Sequence, residues 1–192
     1  MAKQEKHKGA QTGINYVARN SLRRLALSTK ATAQVGPPQY PLAADVQSLD
    51  GVIRAFYEVV STPAGARPNR ERDASLHAPG AQIRLSRPNP DGRPALQVMT
   101  LAELYERMGG VRKQAFYERE IQRQTQRFGS IAHVWSTYLT SNTPAGAPVD
   151  RGISSIQLYF DGSRWWITGW TDEGERPGNP IPSEFLPRSR TK

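Results

Sequence analysis

Apolar and polar residues alternate with a period of two through the second half of the chain, which is typical of half-buried β-strands. Ile156, Leu158 and Phe160 occupy every second position, and Asp161-Gly162 then supplies a two-residue turn into a return strand. The alternation therefore predicts a β-hairpin at this point of the chain.

Two longer strands are predicted before this hairpin, over residues 116–128 and 131–140. Gly129-Ser130 joins them and suits a type II′ turn, in which glycine takes the first central position. A two-residue turn fixes the register of the pair, so the side chains can be sorted by face. We expect the face with the smaller apolar residues, on which helices can pack, to be concave and to line a pocket.

The concave face of these two strands is predicted to carry hydrogen-bond donors and no general base. Arg123, Ser136 and Tyr138 lie on it and are suited to holding a carbonyl, carboxylate or phenol oxygen. The alternative is that Arg123 pairs with a carboxylate of the helix layer and that Tyr138 caps the core. The convex face is polar but includes a large aromatic residue, so we expect it to form a homodimer interface. Its members are Glu118, Glu120, Gln122, Gln124, His133, Trp135 and Thr137.

A period of three to four residues predicts helices in the first half of the chain. The first runs from an N-cap at Asp45 to about residue 61, and the second lies between Asn69 and Pro79. A short strand follows at residues 81–85, and Thr100-Leu-Ala-Glu103 has the form of a capping box that begins a third helix. Helices followed by four consecutive antiparallel strands predict an α+β fold, with about three helices covering one face of a curved sheet.

In this order of elements the chain resembles the SnoaL-like branch of the nuclear transport factor 2-like superfamily. The resemblance covers residues 44–187 and implies a cone-shaped α+β domain. That superfamily contains isomerases, dehydratases and cyclases as well as non-catalytic binding modules, so the resemblance alone does not define an activity. The residues that carry it are Phe128-Gly129-Ser130-Ile131-Ala132-His133-Val134, Ser136-Thr137-Tyr138, Arg151-Gly152-Ile153, and the hairpin from Asp161-Gly162 to Trp165-Trp166.

The positive charge of the chain lies at its two ends. The formal net charge is +9, yet the segment 41–187 holds 16 basic and 16 acidic side chains and is neutral. A nucleic-acid groove is therefore not expected on the folded domain. Gly36-Pro37-Pro38 separates the domain from what precedes it. We divide the chain into a basic leader, 1–40, a cone domain, 41–187, and a basic tail, 188–192.

The leader segment LRRLALSTKATAQ, residues 22–34, faintly resembles an export signal and an organellar transit peptide, although its apolar core is short. A cytoplasmic location is the default expectation, with export or organellar import as the alternatives. At the other end of the domain, Asn179-Pro180-Ile181-Pro182 is stiff, because proline fixes φ. We expect it to lay the C-terminal segment across the sheet or across a partner.

Composition excludes several kinds of chemistry. The chain has no cysteine, which excludes disulfides, thiolate metal sites and a cysteine nucleophile. No apolar run reaches the roughly 20 residues of a membrane span. The three histidines do not have the spacing of metal ligands. We therefore expect neither a metal ion nor a cofactor.

Further pocket residues are predicted on the first helix and the last strand. Tyr57 approaches from the helix, and Trp166, Trp170 and Asp172 share one face of the last strand if that strand stays regular. A ligand is then expected to contact the following side chains: Arg123, Ser136, Tyr138, Trp166, Trp170 and Tyr57.

The leading hypothesis for function is a domain that binds a small, mostly apolar molecule with one or two oxygen functions. The alternative is a cofactor-independent isomerase, dehydratase or cyclase for a polyketide-, terpenoid- or steroid-like substrate, with Tyr138 and Arg123 as electrophilic donors and Asp172 as base. If the pocket lies on the opposite face, His133 and Glu120 take the catalytic roles. A third class is an adaptor whose basic leader contacts nucleic acid, an anionic membrane or an import receptor.

Overall fold

Six β-strands and four α-helices make up residues 39–188, the part of the chain that the computed structural model describes. The predicted leader, apart from its last two residues, and residues 189–192 lie outside this range. The helices are α1 (Ala43–Val46), α2 (Leu49–Val60), α3 (Arg70–Leu76) and α4 (Leu101–Met108). The strands are β1 (His77–Pro88), β2 (Pro94–Thr100), β3 (Tyr117–Phe128), β4 (Ile131–Ser141), β5 (Asp150–Phe160) and β6 (Trp165–Gly174).

The strands form one curved sheet in the order β2-β1-β6-β5-β4-β3. Within residues 39–188 every neighbouring pair is antiparallel except β1 with β6, which run parallel. Helix α2 packs against β3 and β6, and α3 packs against β1 and β6. This arrangement confirms the predicted α+β class and the cone fold that the resemblance to nuclear transport factor 2-like proteins implied.

Capping side chains define where the helices begin. The Thr100 hydroxyl accepts a hydrogen bond from the Glu103 N–H at 3.2 Å, and the Glu103 carboxylate accepts one from the Thr100 N–H at 2.6 Å, so the predicted capping box is confirmed. The prediction that Asp45 caps the first long helix is wrong. Ser48 caps α2 instead, while Asp45 is buried and forms an ion pair with Arg72 at 2.7 Å.

Strand β2 is an element that the sequence pattern did not reveal. It pairs with β1, which is longer than the predicted strand at residues 81–85 and begins at His77. In β2, Leu96 and Val98 are exposed, as is the intervening Gln97. The alternation of Leu96, Gln97 and Val98 is broken by Met99, so it is shorter than the roughly four to eight residues by which a half-buried strand is recognised.

A β-bulge in β3 decides which of its side chains face the helices. The predicted register is confirmed from Phe128 opposite Ile131 as far as Gln122 opposite Thr137. Ile121 is then an extra residue in β3, and beyond it Glu120 lies opposite Tyr138. Directly opposed residues share a face of the sheet, so Glu120 faces the same side as Tyr138. The residues of β3 before the bulge therefore face the side opposite to the one that regular alternation would give them.

A second bulge, at Thr168 in β6, separates two tryptophans that were expected to share a face. Gly169 pairs with Gln157 but Ile167 pairs with Leu158, so Thr168 is the extra residue. Trp170 is buried against the helices, whereas Trp166 lies on the opposite face of the sheet. The expectation of a regular last strand is therefore wrong.

The C-terminal segment lies across the convex face of the sheet, as its prolines predicted. A 3₁₀ turn at Ser183–Phe185 contacts β3 and β4. The Thr137 hydroxyl donates to the Phe185 carbonyl oxygen at 2.6 Å, and the Gln124 amide donates to the Glu184 carbonyl oxygen at 2.8 Å. No helix in residues 39–188 is both long and apolar enough to cross a membrane.

Candidate functional site

A cavity of about 390 Å³ lies between the helices and the concave face of the sheet. Its inner wall is largely apolar, and Phe56 of α2 meets Trp170 of β6 edge to face with ring centroids 5.5 Å apart. Met108 and Val149, which are both exposed, lie at its mouth. Small-molecule pockets have volumes of about 300–1,000 Å³ and mostly apolar walls, so this cavity is the candidate ligand site.

A polar cluster interrupts the apolar wall at the ends of β1, β3 and β6. Asp172 is buried and forms an ion pair with Arg87, which also donates to the Asp172 carbonyl oxygen at 3.2 Å. Tyr138 and Glu118 line the same cavity. The backbone of Glu118 bonds with the Ser61 hydroxyl, whereas its carboxyl group has no hydrogen-bond partner among the described residues.

Partial burial makes Glu118 an unusual carboxyl group. It raises the pKa of Glu118 to about 8, and the negative charge of Asp172 acts in the same direction. Arg87 opposes the increase, but its charge is compensated by Asp172. A carboxyl group of this kind is mostly protonated at neutral pH and can donate a hydrogen bond or exchange a proton.

The position of Tyr138 depends on a glycine in the neighbouring strand. Gly152 of β5 lies directly opposite Tyr138. A Cβ atom at position 152 would stand 2.2 Å from the Tyr138 hydroxyl and 2.6 Å from the Glu173 carbonyl oxygen, so the site has no room for one. Burial, together with the charge of Asp172, raises the pKa of Tyr138. Tyr138 therefore remains a neutral hydroxyl, and a ligand oxygen that accepts its proton would compete with the Asp172 carboxylate.

A second polar group in the cavity wall is held by its own hydrogen bonds. The Trp170 indole donates to His77 Nε2 at 3.2 Å, so the neutral His77 ring carries its proton on Nδ1 and donates to the Asp73 carbonyl oxygen at 2.9 Å. The Tyr105 hydroxyl donates to the Asp73 carboxylate at 2.5 Å. Because both ring nitrogens are engaged, His77 positions Trp170 and is not a free base.

Four of the predicted site residues come together in a separate network beside α2. The Tyr57 hydroxyl donates to Ser136 Oγ at 2.7 Å, and Ser136 donates to the Glu120 carboxylate. Arg123 donates to Glu120 at 2.8 Å and to Asp50 of α2 at 2.5 Å. The lining of the candidate ligand cavity includes none of these residues. Their hydrogen bonds tie β3 and β4 to α2.

Two other predicted residues, His133 and Trp166, lie on the convex face. His133 Nε2 is 2.9 Å from Ser155 Oγ, and the His133 ring packs 5.2 Å from the ring of Trp135. Burial lowers the pKa of His133.

Among the predicted site residues, the cavity brings together three: Tyr138, Trp170 and Asp172.

The prediction that the concave side of the β3–β4 hairpin carries no acidic residue is wrong. The bulge at Ile121 turns Glu118 and Glu120 to that side, and Glu118 lines the cavity. Polar residues occupy both phases of β3, so its sequence does not mark the bulge. Arg87 and His77 were also missed as cavity residues, because only the parallel pairing of β1 with β6 brings them to this site.

No protein-family model matches the chain, and no curated protein matches it in sequence. Among solved structures, the hub of S. rosetta CaMKII has 14% identity and a TM-score of 0.48, covering 72% of this chain and 100% of that one. A nuclear transport factor 2-like protein of unknown function from Shewanella baltica has 13% identity and a TM-score of 0.43, covering 68% and 98%.

A second such protein, from Methylobacillus flagellatus, has 15% identity and a TM-score of 0.41, covering 67% of this chain and 95% of that one. The cone fold of this chain is recognised from its own strand order and helix placement. The finer assignment to the SnoaL-like branch stays a prediction.

Replacing Arg123 by alanine is expected to destabilise the fold without changing the affinity of the cavity for a ligand. The substitution leaves the half-buried Glu120 carboxylate without its cation, which costs about 1–3 kcal/mol of unfolding free energy. Urea unfolding measures the loss. Arg119→Ala, an exposed neighbour, is the matched control and should change stability by less than about 0.5 kcal/mol. Equal stability of the two variants would contradict the structural role of Arg123.

Replacing Glu118 by glutamine is expected to flatten the pH dependence of stability. Burial raises the pKa of Glu118 to about 8, so its stabilising effect is complete at low pH and declines as pH rises toward 8. Between pH 5 and 7.5, the unfolding free energy of the native protein should fall relative to Glu118→Gln by about 1–3 kcal/mol. Glu106→Gln, at an exposed position, should instead follow the native profile. Parallel profiles for all three proteins would exclude the raised pKa of Glu118.

Proposed function

We propose that this protein binds a small, mostly apolar molecule that carries one or two oxygen functions. The observation that supports this proposal is the cavity of about 390 Å³, whose apolar wall is interrupted by Glu118, Tyr138 and Asp172. A site of this kind holds the apolar body of a ligand by burial and orients it with a few polar contacts.

The polar cluster suits a hydroxyl or carbonyl oxygen better than a second charge. Tyr138 offers a hydroxyl donor, and protonated Glu118 offers both a donor and an acceptor. The charge of Asp172 is already compensated by Arg87. A ligand hydroxyl or carbonyl would therefore meet partners of both kinds without introducing an unpaired charge.

A cofactor-independent isomerase, dehydratase or cyclase is the second candidate function, and Glu118 favours it. The pKa of about 8 lies close to neutral pH. General acid and base catalysis is most effective when the pKa of the catalytic group is near the pH at which the enzyme works. In this mechanism ionised Glu118 removes a proton next to a ligand carbonyl, and Tyr138 donates to the oxygen that gains the electron pair. Glu118 replaces Asp172 as the proposed general base, because Asp172 forms an ion pair with Arg87.

The binding function predicts that 2-naphthol binds at a single saturable site. A hydroxyl at the polar cluster should make it bind more tightly than naphthalene. Tyr138→Phe removes one donor and should weaken 2-naphthol by about 2- to 12-fold while leaving naphthalene unchanged, as expected for one neutral hydrogen bond. Isothermal titration calorimetry and tryptophan fluorescence, to which Trp170 in the wall contributes, measure both affinities.

Tyr159→Phe is the matched control, since it removes an exposed tyrosine hydroxyl outside the cavity. Equal losses in the two variants would contradict the assignment of Tyr138 as a ligand donor. Leu104→Trp fills the cavity and should abolish binding of both probes; if it does not, they bind elsewhere. Exchange of the α-protons of 2-tetralone into deuterated water, lost in Glu118→Gln, would favour the enzyme over a simple binding domain.

We further propose that the protein forms a homodimer through the convex face of β3, β4 and β5. Phe128, Ile131 and Tyr159 occupy neighbouring positions across these strands and are all exposed, Phe128 by 84%. The Phe185 ring packs 5.7 Å from the ring of Trp135 and covers another part of the face. The uncovered strip of Phe128, Ile131 and Tyr159 is the part of this face that a second copy would bury.

The dimer proposal predicts that Ile131→Asp increases the dissociation constant of the dimer by at least about tenfold, because it places a charge in the apolar centre of the interface. Light scattering at micromolar concentrations measures the mass. Val111→Asp, at a similarly exposed apolar position outside the sheet, should leave the assembly unchanged. A native protein that is monomeric under these conditions would exclude the dimer.

A further inference from the structure

We propose that Arg112 is the anion anchor of the cavity and that the ligand is a small apolar carboxylic acid. Its carboxylate would bind Arg112, and its hydroxyl or carbonyl group would reach Glu118 and Tyr138. This inference rests on the proposed small-molecule binding function and adds the charge and orientation of the ligand.

The backbone holds Arg112 at the cavity wall. Its N–H donates to the Ala66 carbonyl oxygen at 2.9 Å, and its carbonyl oxygen accepts from the Gly65 N–H at 2.8 Å. The guanidinium carbon lies 5.1 Å from the centre of the Phe116 ring, and both side chains line the cavity. The position of Arg112 is therefore fixed by contacts that use none of its side-chain donors.

The side chain of Arg112 has unused hydrogen-bonding capacity. Its Nε atom is buried without a hydrogen-bond partner, and within residues 39–188 no acidic side chain forms an ion pair with it. Arginine stays charged throughout the physiological pH range and has five N–H donors, so an unpaired guanidinium at a cavity wall is costly. A carboxylate in the cavity would supply the opposite charge and would accept hydrogen bonds from the guanidinium N–H groups that reach the cavity.

The charges elsewhere in the cavity orient such a ligand. Arg87, the other arginine of the lining, is already paired with Asp172. A carboxylate placed beside Asp172 would meet a like charge, whereas the protonated Glu118 can donate to or accept from a neutral ligand oxygen. Arg112 provides one uncompensated positive charge, so it matches a single carboxylate better than a doubly charged phosphate.

The matched probes 6-hydroxy-2-naphthoate and 2-naphthol test this anchor, because they share the ring system and the hydroxyl but differ in the carboxylate. The native protein should bind 6-hydroxy-2-naphthoate more tightly. Arg112→Gln should weaken that acid by about 10- to 100-fold and change 2-naphthol by less than about twofold. Arg112→Lys keeps the charge and should lose less affinity for the acid than Arg112→Gln.

Arg107→Gln controls for long-range attraction, because Arg107 is an exposed cation on α4 outside the cavity lining. Equal losses in Arg107→Gln and Arg112→Gln would overturn the anchor. Tighter binding of 2-naphthol than of the acid, or an acid affinity unchanged in Arg112→Gln, would overturn it too, while the binding function stands. If neither probe binds the native protein, both the anchor and the binding function fail. Thermal unfolding of each variant verifies that it is folded.

Discussion

The packing of helix α2 on the concave face of the sheet is the contact on which the rest of the structure depends. Its residues Val52, Ile53, Phe56 and Val59 are almost fully buried, and burying each such side chain contributes about 1.5–3 kcal/mol. The helix covers only part of the concave face. Helix α4 and the segment before β5 lie over the rest of the concave face. The space between them and the sheet is the cavity.

Charged groups in this molecule are divided between those with partners and those without. The network from Tyr57 through Glu120 to Arg123 is internally satisfied and therefore stabilises the junction of α2 with β3 and β4. The cavity differs, because Glu118 and Arg112 lack hydrogen-bond or ion-pair partners among the described residues. A polar or charged group held away from water without a partner is costly, so these two half-buried side chains are where a ligand would gain most. The proposed ligand class follows from that contrast.

Two single-residue bulges have a large effect on the candidate site. Without the extra residue Ile121, Glu118 would face outward and the cavity would lose its free carboxyl group. Without Thr168, Trp166 and Trp170 would share a face. Because side chains alternate with a period of two, one inserted residue exchanges the two faces for the remainder of a strand.

The sequence by itself determined the order of the helices and strands other than α1 and β2, the β3–β4 register next to Gly129, the capping box at Thr100 and the placement of Tyr138 and Trp170 in the cavity. These features depend on local periodicity, turn chemistry and capping, which act between residues close along the chain. For Arg123 the sequence allowed either a ligand contact or an ion pair with the helix layer, and tertiary structure decided for the ion pair with Asp50. Tertiary structure alone placed Ser136 in the same network and brought Glu118, Arg87 and His77 into the cavity. The two bulges and the parallel β1–β6 pairing cause these differences. Packing between distant segments sets these features. The sequence of β3, YEREIQRQTQRF, is polar in both alternating phases, so it contains no local signal for them.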